Sequence, residues 1–231
     1  MSNKLQKILK QSETLHWQDK LLLAVENFNN PTFSTSFSLE DQVITDFIAR
    51  NQVPIEIFTI DTGRLPQETY NVWQATLDKY AITIKGYSPK HGPLENFTKE
   101  HGINPFYESK DLRLTCCAVR KIEPLHRALK NKDLWISGLR KAHSSNRNEK
   151  AYFENDDNLK LTKFYPLLDL SESELWEAIN QKGIPFNRLY KSGYRSIGCA
   201  PCSRAIGEGD DIRAGRWWWE DDSKKECGLH A

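Results

Sequence analysis

FSTSFSLEDQVITDFIARNQVPIEIFTIDTG, residues 33–63, is the stretch that decides the fold. It begins with a short aromatic and hydroxyl-rich run at 33–37 and ends with the apolar run IEIFTI at 55–60, and both runs are typical of strands. Between them apolar residues recur at helical spacing, namely Leu39, Val43, Ile44, Phe47 and Ile48. The stretch therefore predicts a strand, a helix and a second strand, which is the repeating unit of a parallel sheet.

The same alternation continues along the chain. It predicts further strands at 82–87, 134–139 and 163–168, and helices at 15–28, 66–80, 115–130 and after the capping-box sequence that opens at Ser171. After about residue 190 the periodicity ends, and we interpret the remainder as a tail laid over the active-site edge. The fold class predicted is α/β, with about five mostly parallel strands in a twisted sheet flanked by helices, and ligands at the carboxyl ends of the strands.

Composition and charge exclude several classes of protein. The 231 residues contain 32 Lys and Arg against 31 Asp and Glu, a balance that gives no support to a general nucleic-acid binder. There is neither an apolar run of roughly 20 residues nor a signal-peptide core near the start, so we expect no membrane span and a cytoplasmic location.

The five cysteines divide into four plus one. Cys116 and Cys117 are adjacent, Cys199 and Cys202 form a C-x-x-C, and Cys227 stands alone near the C-terminus. Four thiolates suit either Zn²⁺ or an iron–sulfur cluster, and four unligated buried thiols are the alternative. Neighbouring helical residues point about 100° apart, so the adjacent pair can reach one centre only at a helix end or through local distortion.

Several polar segments are candidates for binding or catalysis. The loop STSFSLED at 34–41 could bind an anion at a helix N-terminus or simply cap that helix. Cys227, with two lysines before it and His230 after it, is either a reactive thiol or an incidental one. The basic residues could hold phosphate or sulfate or be ordinary solvated charges, and they are Arg140, Lys141, Arg147, Arg213 and Arg216. The WWW run at 217–219 could be a core patch that seals the tail.

Seven motifs together resemble the assimilatory adenylyl-sulfate reductases, the iron–sulfur branch of the phosphoadenylyl-sulfate reductase family. They are TSFSLED, IDTGRLPQETY, TCCAVRK, WISGLR, IGCAPCSR, DIRAGRWWWE and KKECGLH, and the resemblance extends from about residue 33 to the C-terminus. It implies a fold similar to the adenine nucleotide alpha hydrolases. Together with the N-terminal helical segment at 1–32, which the resemblance does not cover, we expect one nucleotide-binding domain over 1–190 and a cluster-ligand and redox-active segment of the same domain over 191–231.

The resemblance also implies site residues. Cys116, Cys117, Cys199 and Cys202 match the ligands of a [4Fe-4S] cluster. Cys227 and His230 are the catalytic residues that the resemblance implies: Cys227 matches the nucleophile, and His230 matches a position near the nucleotide and its phosphosulfate. Other residues match positions that contact or surround the nucleotide and its phosphosulfate, namely Ser38, Asp41, Lys121, Gly138, Arg147, Arg213, Arg216 and Trp217.

The activity implied is reduction of adenosine 5'-phosphosulfate to sulfite and AMP, with thioredoxin or a glutaredoxin-like protein as reductant. The alternatives are the same reaction on the 3'-phosphorylated nucleotide, a tRNA thiolation enzyme, and a zinc-stapled binding module without chemistry. The thiolation enzyme should show SGGxDS in the first loop and a basic RNA-binding face, and the sequence shows neither. We expect no nucleic-acid partner, and a homo-oligomer is left open.

Overall fold

The structure, a computed structural model, describes residues 3–143 and 149–220. Its helices are α1 (Asn3–Ser12), α2 (Trp17–Asn27), α3 (Leu39–Arg50), α4 (Gln67–Tyr80), α5 (His91–His101), α6 (Lys110–Cys117), α7 (Glu123–Ala128) and α8 (Glu172–Lys182). Its strands are β1 (Pro31–Ser34), β2 (Glu56–Ile60), β3 (Ile84–Tyr87), β4 (Leu134–Ile136), β5 (Phe153–Asp156) and β6 (Leu161–Phe164). None of the described helices has the length and apolar character needed to cross a membrane.

The strands form one sheet in the order β3-β2-β1-β4-β6-β5. β1 pairs in parallel with β2 and with β4, and β4 pairs in parallel with β6. β5 runs antiparallel to β6, where the stacked rings of Phe153 and Phe164 lie 4.2 Å apart between centroids. The predicted α/β class with a mostly parallel sheet is confirmed, and the order of strands reverses between β1 and β4, which makes this the switch point of the sheet.

Several details of the prediction are wrong. β1 covers 31–34 instead of 33–37, β6 covers 161–164 instead of 163–168, and α5 was not predicted. The sheet has six strands instead of about five, because the short, partly polar β5 gives no apolar signal in the sequence. The helix predicted over 115–130 begins five residues earlier, at Lys110, because the Ser109 hydroxyl accepts a hydrogen bond from the Leu112 amide and caps it there.

The chain divides into two compact units. The first unit comprises Met1–Phe58, Asn71–Lys85 and Asn131–Asn187. Most of the sheet belongs to it, and its core contains fully buried aliphatic and aromatic side chains, among them Leu21, Phe33, Ile44, Ile136 and Phe164.

The second unit comprises Thr59–Tyr70, Gly86–Lys130 and Arg188–Ala231. Its core includes the thiols of Cys116, Cys199 and Cys202, which are buried together with Phe97, Phe106 and Trp217. From residue 188 to residue 220 it contains short 3-10 turns and no α-helix or strand, as the loss of periodicity after residue 190 predicts.

Candidate functional site

Asp41 connects two loops of the first unit at the switch point. One carboxylate oxygen accepts hydrogen bonds of 2.7 Å from both the amide and the hydroxyl of Ser36, in the loop after β1. The other oxygen accepts a hydrogen bond from the Gly138 amide, which follows β4, at 3.2 Å. The sequence places Asp41 and Gly138 in one site, and the structure brings them into contact.

Gly138 is required by this close approach. A Cβ atom at this position would lie 2.4 Å from the Asp41 carboxylate and 2.8 Å from the Glu40 side chain. Ser38 serves as the N-cap of α3, where its hydroxyl accepts a hydrogen bond from the Asp41 amide at 3.2 Å. Ser38 therefore caps α3, which is the alternative that the sequence analysis gave for this loop. Contact between Ser38 and a nucleotide stays a prediction.

Burial dominates the electrostatics of Asp41. It raises the pKa of the carboxyl to about 6, although the hydrogen bonds from Ser36 act in the opposite direction. Arg140 and Lys141, which the sequence offered as anion-binding groups, are occupied by partners of their own. Arg140 forms a fully buried ion pair with Glu40 (2.7 Å), and Lys141 pairs with Asp169 (2.9 Å).

The second unit contains a cavity that we call the cysteine cavity. Its empty space is about 370 Å³, including the open mouth. All four cysteines of the predicted ligand set line it, together with cationic and apolar side chains: Cys116, Cys117, Cys199, Cys202, Arg64, Arg113, Arg120, Lys121, Arg216, Phe106, Pro201 and Trp217. The four thiols are free of disulfides.

The adjacent cysteines lie at a helix end and next to a helix distortion, the two arrangements that were predicted to let both thiols reach one centre. Cys116 and Cys117 are the last residues of α6, and a π-helical segment, Ala118–Ile122, begins directly after them. A π-helical turn widens the spacing of side chains along a helix and is frequent at functional sites. The same segment carries Arg120 and Lys121 into the cavity lining.

Ser203 closes the C-x-x-C loop. Its hydroxyl accepts hydrogen bonds from the Gly198 amide (2.9 Å) and from Nη1 of Arg216 (2.8 Å), and donates one to the Cys199 carbonyl (3.0 Å). Thr62 adds a hydroxyl 3.3 Å from the Cys199 sulfur. The loop that presents the two thiols is thus fixed by the predicted Arg216 and by Ser203 and Thr62, which were not predicted as site residues.

Cations dominate the cavity wall. Four arginines and one lysine line it, whereas no carboxylate of the described residues does. Burial raises the pKa of the Cys116 thiol, while the charge of Arg120 lowers it. Burial and the neighbouring Cys199 raise the pKa of Cys202 to about 12. Because burial keeps these thiols protonated, binding of a metal by them must release protons.

Buried N–H groups without a hydrogen-bond partner indicate whether the cavity suits an anionic metal group. Nη1 of Arg113, Nε of Arg120 and Nε1 of Trp217 are buried without a well-formed hydrogen bond within the described residues, and the guanidinium groups of Arg113 and Arg120 interact with the thiols of Cys117 and Cys116. A tetrathiolate metal group carries net negative charge and polarisable sulfur acceptors, which such donors satisfy. No three His, Cys, Asp or Glu side chains in the described ranges are grouped for a single metal ion. Four thiols surrounded by cationic side chains are nevertheless a donor set that suits an iron–sulfur cluster.

Trp217 is the centre of a cationic stack in the second unit. Arg113 and Arg216 lie over its ring at 4.5 and 4.8 Å from the centroid, and Arg213 lies at 5.7 Å. Its backbone has a φ of +43°, which is uncommon for a bulky residue and costs conformational energy. The structure therefore brings together Lys121, Arg216 and Trp217 at the cysteine cavity, while Arg213 reaches it through the Trp217 ring.

Three predicted residues, Arg147, Cys227 and His230, lie outside the described residues. The sequence analysis missed Arg113, Arg120 and Ser36. A signal for the first two exists, because Arg113 precedes Cys117 by four residues and Arg120 follows Cys116 by four, the spacing of neighbours on one helix face.

Comparisons with known proteins give a consistent result. The profile described as phosphoadenosine phosphosulfate reductase domain matches residues 30–205. Adenosine 5'-phosphosulfate reductase of Allochromatium vinosum is 46% identical over 198 residues, which is 86% of this chain and 77% of that protein. The enzyme of that name from Sinorhizobium fredii is 44% identical over 218 residues, 94% of this chain and 87% of the other. The crystal structure of phosphoadenylyl-sulfate reductase from Candida auris, a phosphate complex, superposes with a TM-score of 0.76 at 27% identity, covering 89% of this chain and 98% of that one.

Proposed function

The chain belongs to the phosphoadenosine phosphosulfate reductase domain family, and we propose that it reduces adenosine 5'-phosphosulfate to sulfite and AMP in sulfate assimilation. The observation that carries the proposal is the convergence of four cysteines and five cations on one cavity of the second unit. By resemblance, the branch that uses the 3'-phosphorylated nucleotide lacks these four cysteines. The similar curated proteins are named for the 5'-phosphosulfate substrate, which supports the same choice.

We propose that Cys116, Cys117, Cys199 and Cys202 hold a [4Fe-4S] cluster. The orphaned donors of Arg113, Arg120 and Trp217 and the absence of lining carboxylates among the described residues support an anionic tetrathiolate group. When bound, the cluster supplies negative charge and a rigid connection between the end of α6 and the C-x-x-C loop. Lys121 lines the same cavity, and its charge would offset that of the cluster and, by resemblance, contribute to binding the phosphosulfate.

Cys227 is proposed as the nucleophile, because it is the cysteine left over from the ligand set. Its thiolate attacks the sulfur of the phosphosulfate: a sulfur–sulfur bond forms, the bond from sulfur to the bridging oxygen breaks, and AMP leaves with that oxygen. Lys224, Lys225 and His230 favour the thiolate by their charge and proximity in sequence.

A dithiol protein, thioredoxin or a glutaredoxin-like reductant, completes the reaction. One of its thiolates attacks the Cys227 sulfur and expels sulfite, and its second thiol resolves the mixed disulfide. The dithiol thereby gives up two electrons and becomes a disulfide, while the transferred sulfur is reduced and Cys227 is regenerated. The arginines assigned to the anion, Arg147, Arg213 and Arg216, neutralise charge on the departing phosphate.

Two measurements test the proposal. Protein purified without oxygen should contain iron and sulfide in equal amounts; zinc in their place would favour the binding module without chemistry. Given adenosine 5'-phosphosulfate and no reductant, the protein should gain about 80 Da, the mass of SO₃, on Cys227. The Cys227→Ser variant should keep its iron but form neither the adduct nor sulfite, and sulfite production by this variant would refute the mechanism. A faster reaction with the 3'-phosphorylated nucleotide would refute the substrate choice.

A further inference from the structure

The guanidinium of Arg113 is held by Glu220 and by the Trp217 ring. Nε and Nη2 of Arg113 donate to the two carboxylate oxygens of Glu220 at 2.5 and 3.0 Å, and the two side chains are only 3% and 8% exposed. The guanidinium carbon lies 4.5 Å from the centroid of the Trp217 ring. A two-point ion pair fixes the plane of a guanidinium, and stacking on an aromatic ring restricts it further. Contacts within the second unit therefore define the orientation of this group.

The remaining nitrogen of the same guanidinium, Nη1, is not engaged by Glu220. It is buried and makes no well-formed hydrogen bond within the described residues. Arg113 lines the cysteine cavity, whereas Glu220 is not among the described residues that line it. A buried cationic N–H group without a full acceptor is costly, so its place at the cavity indicates that an anionic acceptor belongs there.

Cys117 is the acceptor that the structure offers. It follows Arg113 by four residues on α6, the spacing of neighbours on one face of a helix. The Arg113 guanidinium interacts with the Cys117 thiol. A neutral thiol is a weak acceptor, whereas a thiolate is anionic, so this interaction becomes stronger when Cys117 binds a metal group as a thiolate. Hydrogen bonds to metal ligands orient those ligands and tune the metal centre.

We propose, on the basis of the cluster proposed above, that Arg113 is a positioning residue for the ligand Cys117 and that Glu220 holds Arg113 in place for it. The donor at Nη1 stabilises the Cys117 thiolate, while the ion pair as a whole adds no net charge. Neither residue binds iron. The pair therefore affects how firmly the cluster is retained and its reduction potential, because that potential depends on net charge and on hydrogen bonds to the sulfurs.

The test compares the cluster in native protein and in variants, all purified without oxygen. The double variant Arg113→Met with Glu220→Met removes the donor but no net charge. Its iron should pass to a chelator about 10-fold to 100-fold faster, the scale on which such changes weaken metal binding, and its reduction potential should fall. Glu220→Gln removes a negative charge but leaves the guanidinium, so its potential should rise. Visible absorption follows iron release, and a titration monitored by electron paramagnetic resonance gives the potential.

Further variants separate positioning from a purely structural contact. Glu220→Gln leaves the Arg113 charge buried without its carboxylate, whereas the double variant leaves neither charge unpaired and should fold. Arg113→Lys keeps the charge without the planar fork and should retain iron better than the double variant. Asp156→Asn, which breaks the ion pair with Lys163 in the first unit, should change neither readout.

Two results would overturn the inference while leaving the cluster in place. One is iron release at the native rate in the double variant. The other is a shift of the potential in the same direction in the double variant and in Glu220→Gln, because a structural disturbance has no reason to change sign with the charge that is removed. If the native protein contains no iron, the cluster proposal itself fails, and this inference fails with it.

Discussion

Nη1 of Arg216 donates a 2.8 Å hydrogen bond to the hydroxyl of Ser203, the residue directly after Cys202. The backbones of the two residues also form an antiparallel bridge. An arginine that resemblance assigns to the substrate is thus built into the loop that presents two of the proposed cluster ligands. Substrate affinity and cluster retention should therefore respond together when Arg216 changes.

Arg216→Ala should lower kcat/KM by a factor of about 10–100, the scale of a lost charged hydrogen bond, and should also lower iron content. Arg213→Ala is the matched control. Because Arg213 lies over the Trp217 ring and is not one of the described residues that line the cavity, we expect this variant to lose kcat/KM but keep its iron. Kinetics and iron assays on both proteins check this, and full iron retention by Arg216→Ala would contradict the coupling.

Gly198→Ala tests the same relationship without removing a charge. A Cβ atom at residue 198 would lie 1.9 Å from Nη1 of Arg216, so the guanidinium must leave Ser203. We expect iron content and kcat/KM to fall in the same direction as in Arg216→Ala. Gly92→Ala, at a helical position of α5 where nothing lies within 4 Å of the added atom, is the control and should retain both. Native values in Gly198→Ala would show that the guanidinium can move without consequence.

Cys202→Ser tests the ligand set itself. Serine keeps the size of the side chain but is a poor ligand for iron, so iron and sulfide should fall well below one cluster per chain. Cys227→Ser, which alters the cysteine outside the proposed set, should retain the iron. Metal analysis of the two anaerobically purified proteins makes the comparison, and full iron in Cys202→Ser would remove Cys202 from the set.

Much of the fold could be predicted because its signals are local. Apolar runs mark β2 and β4, a short aromatic and hydroxyl-rich run overlaps the end of β1, and the serines at 38 and 171 cap helices where the sequence places them. The geometric argument that adjacent cysteines need a helix end or a distortion is also confirmed, since α6 ends at Cys117 and a π-helical segment follows. The prediction that the four cysteines lie together was based on their number and on the resemblance, and all four line one cavity in the structure.

The remaining features depend on contacts between residues distant in sequence. Nothing local distinguishes Arg140, which pairs with Glu40 one hundred residues away, from Arg216, which lines the cysteine cavity. Likewise Arg113 and Glu220 lie 107 residues apart, and only the fold shows that they meet. Pattern and spacing identify the residue types of a site, whereas its ion pairs require the three-dimensional arrangement.

The raised pKa of Asp41 predicts a pH dependence of stability. Folding raises this pKa from 3.8 to about 6 because the carboxyl is buried. The folded protein therefore binds more protons than the unfolded chain between these values, and the contribution of Asp41 to stability is fully present below about pH 4 and is lost as pH rises through 6. A shift of this size corresponds to about 3 kcal/mol.

Asp41→Asn lacks this titration. The free energy of unfolding in urea, measured from pH 4 to pH 7, should therefore fall more steeply with pH in the native protein than in the variant, by up to about 3 kcal/mol over the range. Asp156→Asn is a control, because Asp156 contributes to stability with the opposite pH dependence. Although burial opposes it, the hydrogen bond and charge of Lys163 hold the pKa of Asp156 below its usual value, so the stability that Asp156 contributes is present above pH 4 and lost as pH falls. Parallel pH profiles for native protein and Asp41→Asn would show that Asp41 is not the proton-binding carboxyl that its burial indicates.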